Sequence, residues 1–285
     1  MSFLKKIQEC NGFDAGQFFD FVVQNQRVGF IAKNKVDTLL EHKNIFNFFN
    51  NKIVLNPDLN TYEKRTKTIK DVVLLLQEKK LISAWGDESY AVSSSFNHKS
   101  YFSIPRCAAA FFGIKTYGTH LNGYTRKDGK IWVWIARRAL HLKFLPGKLD
   151  NLAAGGLPAG ILPDQNMAKE AREEAQLSSE LLHKMQPKST VSYFLETKEG
   201  ACPDTMFVYD LELPPETIPT PNKEEVEDFT LYPIEELYKV VNDFDNFKYN
   251  ATLVMIDFLI RHSAITPQNK DYFEIVHQLR QPKLF

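Results

Sequence analysis

Apolar positions recur along the chain with two periods, and the switch between them outlines its organisation. Thr61 starts a long helical pattern, with Val72, Val73, Leu75 and Leu76 expected as its buried side. Upstream, Asp14 is placed to cap a helix carrying Phe18, Phe21 and Val22 on one face, and residues 27–31 read as a strand. Pro105 opens a predicted helix over 106–112, which Gly113 ends. From Tyr117 the pattern becomes extended. Residues 120–124 and 131–136 flank Lys127-Asp128-Gly129-Lys130, and an Asp-Gly pair between extended runs predicts a hairpin. A second strand pair is predicted over 190–196 and 206–213, around Glu199-Gly200. Pro214, Pro215, Pro219 and Pro221 then mark an exposed loop. Three helices close the chain: 234–241, 251–262 behind an Asn250 cap, and 268–279 after Pro267. The break near Tyr117 divides the chain into an α+β domain over 1–116 and a second domain over 117–285.

Composition narrows the class without naming a chemistry. The 285 residues are 44% hydrophobic and 25% charged, which excludes wholesale disorder. Lys+Arg and Asp+Glu balance at 35 each, so no basic excess exists to gather nucleic-acid phosphates. Cys10, Cys107 and Cys202 are widely separated and suggest no disulfide framework. The first residues lack the apolar stretch of a signal peptide, and the apolar block 253–260 is interrupted by Asp257. The expectation is a cytoplasmic protein with neither nucleic acid nor membrane as partner; its oligomeric state is open.

The chemistry concentrates in residues 155–177, GGLPAGILPDQNMAKEAREEAQL. Glu170, Glu173 and Glu174 stand three and four apart, which stacks their carboxylates on one helical face. Such a run alone reads most simply as a solvated face. The glycine turn upstream changes that reading, because Gly155 and Gly156 let backbone groups approach an ion and a phosphate closely. Oxygen ligands without nearby Cys or His suit Mg²⁺, with Mn²⁺ as the substitute.

The segment resembles the Nudix hydrolase motif, G-x5-E-x7-R-E-U-x-E-E-x-G-U, where U is aliphatic. Gly155 matches its first glycine, Glu170 its central glutamate, Ala171 and Leu177 its aliphatic positions, and Glu173-Glu174 its acidic pair. Ile161 stands in place of the first glutamate, Lys169 of the arginine and Gln176 of the last glycine. Further blocks, among them LISAWGDESYAV from Leu81, IPRCAAAFFG from Ile104, GTHLNGY from Gly118 and PGKLDNLAAGG from Pro146, are similar to one Nudix subfamily. Its N-terminal domain is also found fused to thiamine pyrophosphokinase. The resemblance implies an α/β fold overall: a small α+β domain followed by an α/β/α sandwich with a mixed sheet.

It also implies an activity, hydrolysis of a small organic diphosphate. Oxidised thiamine diphosphates such as oxothiamine or oxythiamine diphosphate lead, yielding the monophosphate and phosphate. A nucleoside-diphosphate-linked substrate and a non-catalytic binding module stand as alternatives. Glu170, Glu173 and Glu174 would hold the metal with a Gly155 carbonyl. The general base would be Glu174, or Glu225 or Glu227 from the proline-rich loop, although the last two read equally as solvated charges. Arg137 and Arg138, at a strand end, are candidates for the phosphates, as are Lys148, Asp150, Asn151 and Gly156 beside the glycine turn. Trp85, Glu88 and Tyr90 would enclose an aromatic group or pack a strand. His120 and His262 read as structural, Cys107 as core, and Cys202 lacks the partners of a thiol nucleophile.

Overall fold

A computed structural model describes residues 2–83, 88–243 and 245–280. Trp85 lies outside the described residues. In chain order the elements are α1 (Phe3–Glu9), β1 (Phe18–Val23), β2 (Gln26–Ala32), α2 (Val36–Leu40), β3 (Phe46–Phe49), β4 (Lys52–Leu55), α3 (Tyr62–Glu78), β5 (Ser89–Val92) and β6 (Phe102–Pro105). There follow β7 (Thr116–Lys127), β8 (Lys130–Arg138), β9 (Leu149–Asp150), β10 (Ala153–Gly156), α4 (Pro163–Ala175) and α5 (Ser179–Leu182). The last are β11 (Gln186–Thr197), β12 (Gly200–Glu212), β13 (Val226–Pro233), α6 (Ile234–Asp243), α7 (Tyr249–Arg261) and α8 (Tyr272–Gln278).

The first body is a four-stranded sheet in the order β2-β1-β4-β3, with a separate β5–β6 hairpin. Its core joins Phe21, Ile53 and Phe112 to Ile69, Val72, Val73 and Leu76 of α3. Thr61 caps α3 by accepting the Lys64 N–H at 3.2 Å. The helix expected after Asp14 is instead a single 3₁₀ turn, Ala15–Gln17, leading into strand β1. Aromatic and β-branched residues dominate Phe-Phe-Asp-Phe-Val-Val and fit a pleated surface. Pairing on both sides, with β2 antiparallel and β4 parallel, outweighs the coincidental helical spacing of Phe18, Phe21 and Val22. The helix expected over 106–112 shortens to one 3₁₀ turn, Arg106–Ala108. Gly113, expected to end that helix, lies five residues beyond the turn, at φ +57°, where a Cβ would lie 2.3 Å from the Phe30 carbonyl oxygen.

The second body is a seven-stranded mixed sheet with the path β11-β12-β7-β8-β13. The β7–β8 hairpin turns at Asp128 and Gly129, both at positive φ, as the Asp-Gly pair implies. Strand β7 then forks: residues 123–127 pair with β8, whereas 118–121 pair with β10. Leu152 fills the crotch of the fork, where a Cβ on Gly123 would come within 2.2 Å of its Cδ2. Met167, Ala171 and Ala175 of α4 pack with Leu121, Tyr209 and Leu211 on one face. Val133, Val191, Met206 and Val208 on the other face meet α6, α7 and α8. The result is the expected α/β/α sandwich preceded by an α+β body.

Packing departs from the sequence division in one respect. Phe3, Ile7 and Cys10 at α1 belong to the same buried cluster as Val254, Leu259 and Ile275. Helix α7 starts at Tyr249 with Lys248, not Asn250, at its N-cap. The Lys248 carbonyl accepts both the N–H and the hydroxyl of Thr252, at 3.0 and 3.2 Å. Helix α8 begins four residues later than expected, because the Asn269 side chain accepts the Asp271 N–H at 2.9 Å and holds a turn. Cys10, Cys107 and Cys202 are unbridged. No helix among the described residues is long and apolar enough to cross a membrane.

Candidate active site

Helix α4 lies against β10 and the forked half of β7, and beside its apolar contacts runs a buried polar stripe. Asn166, Glu170 and Glu174 succeed one another at i, i+4 and i+8, so one stripe of the helix carries all three. All are buried, at 0, 8 and 9% exposure. Asn166 Nδ2 donates to Thr119 Oγ1 at 2.8 Å and to the Gly156 carbonyl at 3.0 Å, clamping helix to loop. Glu174 Oε2 accepts the Ala154 N–H at 2.9 Å. Glu170 presses on the next residue of the strand: a Cβ on Gly155 would lie 2.3 Å from its carboxyl carbon. Glycine at 155 is thus a requirement of close approach rather than of a turn.

Burial lifts Glu174 well above the usual carboxylate range, against the Ala154 amide, and the charges of Asp150, Glu225 and Glu170 add to the rise. Burial likewise raises Glu170, with Lys169 opposing and Glu173 and Glu225 reinforcing. Buried carboxylates that repel one another call for a counter-charge, and hard oxygen donors fit a divalent cation of the Mg²⁺ type. Among the described residues, however, no group of three His, Cys, Asp or Glu side chains is assembled as a metal-holding set. Glu173 explains the difference. Its side chain is 49% exposed and pairs with Lys169 at 3.3 Å, while Lys169 also reaches Glu170 at 3.4 Å. The inner pair Glu170 and Glu174 faces the glycine strand, and Glu173 stands at its rim.

The proline-rich segment reaches this site by capping α4. Thr220 and Asn222 donate their N–H groups to the carbonyls of Ala175 and Glu174, at 3.1 and 3.0 Å. These bonds satisfy helix-end acceptors and bring Glu225, exposed, to where its charge acts on both inner glutamates. Glu227 is turned towards Lys223, 3.9 Å away. Gln176 ends α4 in the left-handed conformation, φ 52° and ψ 35°, where the motif has glycine. Ile161 is 36% exposed on the loop before the helix.

The other sequence candidates are distributed differently from the expectation. Arg138 donates to the carbonyls of Leu145 and Phe144, at 3.1 and 2.9 Å, and lies 3.5 Å from Asp150. Arg137 bonds the Gly147 carbonyl at 3.2 Å and pairs with Asp228 at 3.6 Å. Both arginines therefore close the 139–148 loop. Lys148 is paired with Asp245. Asp150 is buried against Lys248 at 3.0 Å; burial pushes its pKa up, but Lys248, His120 and Arg138 outweigh this and hold it low. Asn151 is interior, bonded to His120 at 2.7 Å and to Asn122 at 2.9 Å. His120 is structural, as expected, and burial depresses its pKa to about 4.

Three features escaped the sequence reading. Asn166 was recoverable from its i, i+4 relation to Glu170. Arg106, beside Glu88 and Tyr90, comes from the other body and has no local signal. Tyr117 and Phe207, centroids 6.2 Å apart, lie on the α4 side of the sheet and meet Phe96 of the first body at 5.0 and 4.7 Å.

Comparison with known proteins identifies relatives of the chain. The family model described as the NUDIX domain matches residues 124–253, and a domain of unknown function (DUF4743) matches residues 2–116. Nudix hydrolase 24, chloroplastic, of Arabidopsis thaliana is 39% identical over 282 residues, spanning 98% of this chain and 77% of that protein. Nudix hydrolase 20, chloroplastic, of the same plant is also 39% identical, over 289 residues, with the same coverage. Among solved structures, the C. elegans Ap4A hydrolase binary complex aligns over 53% of this chain and 99% of that one, at 16% identity and TM-score 0.39.

Proposed function

The chain belongs to the Nudix hydrolase family, and from that membership we propose that its substrate is the diphosphate of a damaged thiamine, cleaved between the two phosphorus atoms to monophosphate and phosphate. As a Nudix pyrophosphohydrolase it is an enzyme acting on diphosphate-linked compounds. The observation that carries the reading is the buried pair Glu170 and Glu174, closed against the backbone of Ala154 and Gly155.

Glu170 and Glu174, with Glu173 at the rim and the Gly155 carbonyl beside them, would hold Mg²⁺. Such an ion lowers the pKa of water and neutralises charge on phosphate oxygens. The chain's own contributions are positional. Asn166 fixes the Gly156 carbonyl, so the backbone at 155–156 cannot drift from the carboxylates. Glu225 is the proposed base, because its loop is tied to the end of α4 and its carboxylate remains exposed. Glu227 serves less well, being drawn towards Lys223. An oxidised thiazole or pyrimidine ring would rest on the half-buried rings of Tyr117, Phe207 and Phe96. The sequence blocks resembling the thiamine-linked subfamily support the organic group.

Steady-state hydrolysis with Mg²⁺ tests it, using oxothiamine, oxythiamine and thiamine diphosphates beside ADP-ribose. Expected is kcat/KM higher by about tenfold or more for an oxidised form than for thiamine diphosphate, since buried polar groups reject the form that leaves them unpaired. Equal or faster turnover of ADP-ribose would assign a nucleotide-linked substrate instead.

A further inference from the structure

A diphosphate needs a cation besides the metal, and the strand-end arginines are committed elsewhere. Arg137 and Arg138 close their own loop, Lys148 meets Asp245, and Lys248 meets Asp150. The opposite rim of the glycine strand is built by the first body. The Ser89 carbonyl of β5 accepts the Ala159 N–H at 2.8 Å, a backbone bond that joins the two bodies at the loop itself. The next residue, Tyr90, places its hydroxyl against Gly156, so closely that a Cβ there would lie 2.3 Å from it.

Arg106 stands beside this contact. Its backbone N–H donates to the Glu88 carbonyl at 2.9 Å, and its Nη1 to the Glu88 carboxylate at 2.7 Å. Its guanidinium carbon is 5.9 Å from the Tyr90 ring centroid. Burial opposes the charge of Arg106, but Tyr90, Glu88 and, across the body boundary, Glu170 of α4 favour it. The side chains of Arg106 and Glu88 are 33 and 32% exposed.

We propose that Arg106 binds the phosphate end of the substrate, so that the first body completes the active site of the second. Glu88 and the Tyr90 ring hold the guanidinium in place, which reduces the ordering it must undergo on binding. The planar fork matches a phosphoryl group, whereas the metal takes the oxygens on the α4 side. The inference rests on the diphosphate-hydrolase reading and deepens it by giving the first body a role in recognition.

Two readouts on the full chain separate them. Calorimetry with methylenediphosphonate and Mg²⁺ reports binding without turnover; kcat and KM on the diphosphates report the reaction. Arg106→Gln should weaken diphosphonate binding and raise KM by about tenfold or more, with kcat changed less than about threefold, because the lost contact serves bound substrate and transition state alike. Arg106→Lys should fall between, keeping charge without the fork. If Arg106→Gln melts markedly lower, Glu88→Gln decides, since it removes the ion pair but keeps the guanidinium. Retained binding in Glu88→Gln supports the proposal, and equal loss in both variants overturns it. Unchanged binding and KM in Arg106→Gln also overturn it, as does a wild-type protein that binds no diphosphonate. Binding that Arg106→Gln abolishes, in a protein that hydrolyses none of the diphosphates, would refute the hydrolase reading alone.

Discussion

Replacing Gly155 with alanine tests whether the contact between β10 and α4 sets catalytic geometry. The added Cβ would lie 2.3 Å from the Glu170 carboxyl carbon, 2.4 Å from Oε1 and 2.6 Å from Cγ, where ordinary contact begins at 3.4 Å. The carboxylate must therefore retreat by about 1 Å, and a misplacement of that size at a reacting centre costs on the order of a hundredfold in rate. That corresponds to about 2.7 kcal/mol in the barrier. Folding should suffer much less, because Glu170 is held in an environment that already disfavours its charge, and displacement towards water relieves it. The expected outcome is thus a kcat lower by about two orders of magnitude with a melting temperature lowered by only a few degrees. Assays at saturating Mg²⁺, with thermal melts on the same preparations, check both halves. Gly160→Ala is the control: at φ +83° with nothing within 4 Å of the new Cβ, it strains the loop without touching a carboxylate. Gly155→Ala activity within about threefold of wild type would refute the reasoning, since a 1 Å shift at the metal shell could not be so cheap.

Gln176→Gly should raise stability by roughly 0.5–1 kcal/mol in denaturant unfolding, because Gln176 occupies a left-handed position that glycine adopts without a Cβ penalty. Glu174→Gln should lower kcat at least about tenfold, with Glu173→Gln, half exposed and paired with Lys169, costing clearly less; equal effects would place Glu173 in the inner shell. His120 is held neutral by burial, its pKa moved from 6.5 to about 4, so the unfolded chain binds the proton more readily. Its contribution is full above pH 6.5 and lost as pH falls towards 4, worth at most roughly 3 kcal/mol. Melting curves of wild type and His120→Gln over that range should converge at the acid end, and a constant gap would exclude His120 as the titrating group.

Elements whose hydrophobic period agreed with their pairing were legible in the sequence. The start of α3 at Thr61, the Asp128-Gly129 turn and the burial of Glu170 and Glu174 together on α4 each rest on local chemistry, whereas Glu173, expected on the same face, stands apart. The helix expected after Asp14 failed because spacing at 18, 21 and 22 satisfies two periods at once, and only partner strands distinguish them. At the site, Glu170 and Glu174 were legible from spacing, as was the need for glycine at 155. The separation of Glu173 from the inner pair was not, because it depends on where Lys169 points. Arg137 and Arg138 looked like phosphate ligands because a strand end shows charge but not the loop that folds back over it. The contact of Tyr90 with Gly156, and Arg106 beside it, were hidden for a different reason: they depend on how the two bodies dock.

The placement of α1 carries a consequence for how the polypeptide is made. The helix is synthesised well before most of the surface it covers, which includes residues of α6, α7 and α8. Cys10 Sγ, at its C-terminal end, lies 3.8 Å from the Tyr249 carbonyl oxygen, 239 residues away in the chain. At about 5–20 residues per second, that separation amounts to roughly 10–50 s during which the native packing of Phe3 and Ile7 is incomplete. A seven-residue helix cannot persist alone in water for that interval. The nascent chain therefore carries α1 with its apolar side incompletely packed until α7 and α8 emerge, and the rest of the first body can consolidate well before α1 is seated.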